Sequence, residues 1–200
     1  PVDEDCLSLN IWAPEDARDA PVFVWIHGGS LTTGAGSQPM YDGAKMARAQ
    51  GLVVVTINYR LGVLGYLAHP GLSAESEQGV SGNYGLMDQV LALQWVERNI
   101  AAFGGNPDNV TIAGESAGAL SVVLLMTSPK AQGLFDKAIA QSAYMVTMAA
   151  LKEVANGMPS AESVGVDLGQ RMGGDDVNAL RAMPAGKIVS LAGKAGFFPF

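Results

Sequence analysis

Two hundred residues, at roughly 150 per domain, hold one complete domain or part of a larger one. A formal net charge of −7 without a dense Lys/Arg run excludes a nucleic-acid binder, which needs a basic footprint to neutralise phosphates. A hydrophobic share of 48% excludes disorder, and 25 glycines beside only 16% charged residues predict buried strands joined by tight turns.

No apolar run in the window approaches the ~18 residues of a membrane span. Cys6 is the single cysteine, so no disulfide forms within this chain and the redox compartment stays open. The chain begins at Pro1 without a leader pattern, which reads as an absent N-terminus and leaves localisation open.

In chain order, Leu7, Leu9 and Ile11 alternate with polar neighbours, the period of a half-buried antiparallel strand. A polar loop over 14–21 leads to residues 22–26, apolar on both faces as in a central strand. Residues 41–50 read as a short helix and 52–57 as a second buried strand. A long glycine-rich connection over 59–84 predicts functional or small-element content. Residues 85–99 form the clearest helix, with Leu86, Met87, Val90, Leu91, Leu93 and Trp95 as its apolar face. A turn cluster over 103–109 precedes a third buried strand over 110–113. An apolar helix over 117–126 follows, and residues 138–141 read as a fourth central strand. Beyond Ser142 the pattern is mainly helical. This βαβ alternation predicts an α/β fold: a mostly parallel central sheet flanked by helices.

Two stretches carry chemistry. Gly114-Glu115-Ser116-Ala117-Gly118 fits G-x-S-x-G between an apolar strand and a helix. There the serine sits on a strained turn, its neighbours two positions away lack bulk, and the helix N-terminus faces the reacting oxygen. His27-Gly28-Gly29-Ser30 follows the first central strand, and a glycine loop exposes backbone N–H groups to an oxyanion. The amides of Gly29, Ser30 and Ala117 are the expected donors. His27 is expected to pack beneath the loop and steady it by hydrogen bonding.

With Asn58-Tyr59-Arg60-Leu61-Gly62, Gly82-Asn83-Tyr84-Gly85, Phe103-Gly104-Gly105-Asn106-Pro107 and Ala140-Gln141-Ser142, these motifs resemble the type-B carboxylesterase (cholinesterase-like) family of α/β hydrolases. Residues after about 150 match only loosely. The resemblance implies residues 1–200 as a partial α/β-hydrolase domain, lacking opening strands and a C-terminal part. It further implies a serine carboxylic-ester hydrolase with an acyl-enzyme intermediate on Ser116, a small-molecule ester substrate, and no metal or organic cofactor. Gly29, Ser30 and Ala117 match the oxyanion donors, although the family often has glycine at Ser30. Gly28 and His27 support them. Glu115 matches an acidic residue that orients water or the base, and a structural ion pair is an equal reading. Arg60 and Asp88 match a structural salt bridge, and Ser142 reads as a packed strand-end serine.

A serine hydroxyl needs a base, and in this architecture the order is Ser, then Asp or Glu, then His. Both histidines, His27 and His69, precede Ser116; His69 reads as a surface or lid residue. Asp136, Asp167 and Asp175 follow Ser116, but the family's acid lies farther along. The isolated chain is therefore expected to be inactive, its triad acid and histidine missing. Gly186-Lys187 lacks the rest of a P-loop, and the sequon Asn109-Val110-Thr111 enters a buried strand. Leu31, Met145 and Met148 read as pocket lining, with a core role the plainer assumption for each methionine. The rival is a non-catalytic binding or adhesion member of the same fold. Oligomeric state is open.

Overall fold

The computed structural model describes residues 3–144, 147–174 and 176–199. By contacts the chain divides into two compact units. One comprises Cys6–Tyr59 and Leu86–Met145, the other Pro1–Asp5, Arg60–Gly85 and Val146–Phe200.

The first unit holds a sheet of β1 (Leu9–Trp12), β2 (Ala20–Ile26), β3 (Val53–Ile57), β4 (Gly105–Glu115) and β5 (Lys137–Gln141), in the order β1-β3-β2-β4-β5. β1 pairs antiparallel with β3, and every other pairing is parallel. The Val-rich β3 is buried at every position, as expected of a strand covered on both faces, whereas β2 buries one face and leaves Phe23 and Trp25 on the other only partly covered. Asn106 Oδ1 accepts from the Asp108 N–H at 2.7 Å, so the expected turn lies inside β4, where the register with β2 shifts. The sequon is therefore within a strand.

Two expectations about the elements of this unit fail. β5 is not central: it ends the sheet among the described residues, and all five of its positions are exposed. Helix α4 (Tyr84–Asn99) buries Val90, Leu93 and Val96 but leaves Met87 and Leu91 half exposed. Its apolar residues exceed the width of the face it packs, so part of the stripe stays outside. Helices α1 (Ala44–Gln50) and α5 (Ala117–Thr127) complete the unit. Gly51 at φ 65° ends α1 in the left-handed region.

In the second unit the long connection folds into α2 (Gly62–Tyr66) and α3 (Pro70–Glu75). After residue 160 come α6 (Ala161–Arg171), α7 (Val177–Arg181) and α8 (Ala185–Lys194). Val63, Leu168, Met172, Leu180 and Ala192 form its core. His69 is half-buried, and its ring has a structural task as well: Nδ1 caps α3 by accepting the Gly71 N–H at 3.0 Å. No described helix is long and apolar enough to cross a membrane.

Candidate active site

β2 and β4 run in parallel register, Ile26 opposite Gly114, so both exit at the same end of the sheet. At the exit of β4, Ser116 adopts φ 55°, ψ −119°, a backbone state that costs a non-glycine residue about 1–3 kcal/mol. Neighbouring groups hold it there. The Ser116 N–H donates to Gln141 O at the end of β5 (3.0 Å), and Ser116 O accepts the Leu120 N–H (2.9 Å) in the first turn of α5.

The flanking glycines are steric requirements. A Cβ at Gly114 would stand 2.4 Å from the Gly118 carbonyl carbon, and one at Gly118 would stand 2.1 Å from Ile26 O. Strand and helix pass too closely for any side chain. The buried Ala117 opens α5, and the first N–H groups of a helix have no intrahelical acceptor. They face the Ser116 side with the positive end of the helix dipole.

The exit of β2 is built differently. A Cβ at Gly28 would lie 3.3 Å from Ser116 Cβ and 2.7 Å from Glu115 O, so the glycine loop rests directly on the serine turn. Beyond it Gly29 (φ 108°), Ser30 (φ 56°) and Leu31 (φ 56°) form a left-handed run. Across a trans peptide, C=O and N–H of one unit point opposite ways, so whatever holds a carbonyl aims the next residue's N–H.

Gly28 O is held by His27 Nδ1 at 2.8 Å, which aims the Gly29 N–H away from the ring. Gly29 O accepts the Thr32 and Thr33 N–H groups at 3.0 Å each, with both threonine hydroxyls at 3.2 and 3.3 Å. That fixes the Ser30 N–H in the opposite direction. Farther along, the Gly36 N–H donates to Asn58 Oδ1 (2.8 Å) and Gly36 O accepts from Thr56 Oγ1 (2.8 Å), tying the loop to β3.

His27 lies beneath this loop at 1% exposure. Its ring stacks on Tyr59 with centroids 4.5 Å apart, and Tyr59 Oη donates to His27 O at 2.6 Å. A carbonyl only accepts, so Nδ1 carries the proton; Nε2 is buried without a partner. Burial pushes the imidazole below its ordinary range, and the bond to Gly28 O partly opposes that shift. His27 is thus a neutral prop of the loop.

Glu115 is exposed and forms no ion pair among the described residues, so its structural ion-pair reading finds no partner there. Ser142, expected to be packed, is exposed at φ 54°. Leu31 is buried, whereas Met148 is 41% exposed and not a core residue. Met145 and Asp175 lie outside the described residues. Asp136 clamps the Val110 N–H at 2.8 Å and Asp167 pairs with Arg171 in the exposed face of α6, so both have structural partners. Asp88 is buried, and the Arg60 guanidinium lies over the Tyr84 ring at 5.4 Å.

Sequence reasoning gave no role to Tyr59, Thr32 or Thr33. The threonine pair directly after the glycine loop was the available signal, since such hydroxyls readily cap nearby carbonyls. Tyr59 carried a signal only in its place, two residues beyond a buried strand.

A mostly parallel sheet with a strained serine turn between strand and helix is the architecture of an α/β hydrolase. The carboxylesterase family model matches residues 1–199, and the chain belongs to that family. The match thus runs well past residue 150, where the motifs thin out. A fumonisin B1 esterase of Sphingopyxis macrogoltabida is 47% identical, covering 94% of this chain and 33% of its own length. A para-nitrobenzyl esterase of Bacillus subtilis is 44% identical, covering 98% and 39%. The solved carboxylesterase of Geobacillus stearothermophilus superimposes with a TM-score of 0.86 at 43% identity, covering 98% of this chain and 40% of that one. The chain therefore spans only a third to two fifths of the length of these relatives.

Proposed function

We propose that this chain carries the nucleophile and oxyanion site of a serine carboxylic-ester hydrolase. Ser116 Oγ attacks the ester carbonyl carbon, and the carbonyl electron pair moves onto oxygen. The N–H groups of Gly29, Ser30 and Ala117 receive that charge. As the tetrahedral centre collapses the alkoxide leaves, taking up the proton that the serine gave to a histidine base. Water then attacks the acyl-serine by the same route and releases the acid. Glu115, exposed beside the site, is assigned to orienting the water or the base.

One observation carries the reading: an outlying backbone state holds Ser116 at the start of α5 while Gly28 packs against its Cβ. The esterase names of the relatives support the ester as substrate. No histidine follows Ser116 here, so the base and its acid are proposed to come from further sequence, and residues 1–200 alone to be inactive.

The test is fluorophosphonate labelling and p-nitrophenyl ester turnover by the full-length protein. Adduct at Ser116, and loss of at least about 10⁴-fold in turnover in Ser116→Ala, are expected. A folded protein that takes no adduct would be a binding member of the family instead. Turnover by residues 1–200 alone, abolished by Ser116→Ala, would overturn the external base.

A further inference from the structure

Between α4 and α5 lies a polar relay that the mechanism above does not use. Gln89 is wholly buried and Ser121 is 2% exposed. Gln89 Nε2 donates to Ser121 Oγ at 3.1 Å, and Ser121 Oγ donates to Ala117 O at 3.0 Å. A serine hydroxyl has one proton. With that proton on Ala117 O, its oxygen must accept from Gln89, so the amide nitrogen has to face Ser121.

The arrangement leaves Gln89 Oε1 buried without a partner. A methionine or leucine would fill similar space without an orphaned polar atom. What glutamine adds is therefore its donor, delivered through Ser121 to the first residue after Ser116. Ala117 O shares a peptide unit with the Gly118 N–H. Holding that carbonyl along the helix aims the Gly118 N–H out of the start of α5, next to that of Ala117. Hydrogen-bonded chains in a dry interior also polarise one another, which strengthens the end member.

We propose that Gln89 and Ser121 are positioning residues for ester cleavage. Their relay braces the first turn of α5, so that the turn carrying the Ala117 N–H does not rearrange as charge develops on the oxyanion. This rests on the esterase reading above.

The experiment uses the full-length protein with Ser121→Ala, Ser121→Cys, Ser121→Thr, Gln89→Met and the Gln89→Met/Ser121→Ala pair. Each is measured for kcat and KM on a p-nitrophenyl ester and for the rate of fluorophosphonate reaction. Ser121→Ala, Ser121→Cys and Gln89→Met are expected to lower kcat about 5–20-fold with KM within about twofold, because the interaction acts in the transition state. Fluorophosphonate reaction should slow in parallel. Ser121→Thr, which keeps the hydroxyl, should restore kcat to within about twofold, and the double variant should fall no lower than the worse single one.

Unchanged kcat in folded single variants would overturn the proposal, as would independent, multiplicative losses. A loss of melting temperature with kcat intact would mark the relay as packing only and overturn it equally. Ser116→Ala separates the two levels. If it stays active, the esterase reading has failed; if it is dead while the relay variants run normally, only the positioning role has.

Discussion

β2 and β4 lie side by side inside the sheet and finish at the same end of it, but the chain leaves them by opposite solutions. β4 turns at once into a helix, concentrating its strain in one residue, Ser116 at φ 55°, ψ −119°. β2 opens into a loop that spreads left-handed backbone over Gly29, Ser30 and Leu31. The first exit is fixed by steric crowding, since Gly114 and Gly118 leave no room for a side chain. The second is fixed by hydrogen bonds, with Gly28 O held by His27 and Gly29 O by the threonine pair. In the proposed mechanism a nucleophile must sit at one point, which packing sets well. Amide donors must point in chosen directions, which is a matter of what holds the carbonyl behind each of them.

The sharpest way to break this contrast is at the single strained residue. Ser116→Gly removes the hydroxyl and relaxes the backbone together. Turnover by the full-length protein should fall by about 10⁵-fold or more, while stability should rise by about 1 kcal/mol. Denaturant melts of both proteins check the second half. A stability loss would mean that Ser116 is not strained and that the elbow is an ordinary turn.

Next in size are the crowding glycines. In Gly118→Ala the new methyl, fixed to the helix backbone, meets the Ile26 carbonyl oxygen at 2.1 Å, so neither side can yield without moving helix or strand. A loss of about 3 kcal/mol or more is expected, at or beyond the upper range for overpacking. Gly28→Ala meets Glu115 O at 2.7 Å, a milder clash that the loop can partly absorb, and should cost less. Equal midpoints in urea for the two variants would erase the proposed difference between a crowded exit and a bonded one.

The bonded exit should instead respond to acid. The His27 imidazole is held below its ordinary value of 6.5 by burial, so the unfolded chain binds its proton first. Its contribution to stability is therefore complete above 6.5 and is lost as pH falls through 6.5 toward the lower folded value. The slope cannot exceed about 1.4 kcal/mol per pH unit for one group. Unfolding midpoints at about pH 7.5 and about pH 5.5 should diverge more in the parent than in His27→Asn, whose remaining carboxylates titrate alike. Parallel pH profiles would show that His27 protonates freely and does not prop the loop.

The sequence carried the elbow and the loop because both depend on glycine and serine at fixed places beside apolar strands, a pattern that survives without coordinates. The mostly parallel character of the sheet was legible in the βαβ alternation and in the continuous apolar runs that became β2 and β3. The position of β5 was not, since apolar residues in a short strand give the same pattern at an edge as in the centre. The half-exposed Met87 and Leu91 misled by the same ambiguity. The roles of Tyr59, Gln89 and Ser121 depend on partners 32 residues away in each case, and local periodicity cannot see such pairs. Even so, a glutamine and a serine inside two otherwise apolar stripes are visible in sequence as buried polar groups in want of a partner.

The smallest expected effect is at Ser30, where the chain has a side chain in left-handed backbone at φ 56°. Glycine adopts that state freely, at the expense of a more flexible unfolded chain. Those terms oppose each other, so Ser30→Gly should gain no more than about 1 kcal/mol. The Ser30 amide is aimed by Gly29 O and its four threonine contacts, not by its own side chain. Turnover should therefore stay within about threefold of the parent. The companion change Thr32→Val/Thr33→Val removes two of the four contacts and leaves the backbone pair. It should lower kcat in the Ser30→Gly background more than in the parent, because the relaxed loop then depends wholly on what holds that carbonyl. Equal losses in both backgrounds would mean that local backbone preference, and not hydrogen bonding, sets the direction of the amide.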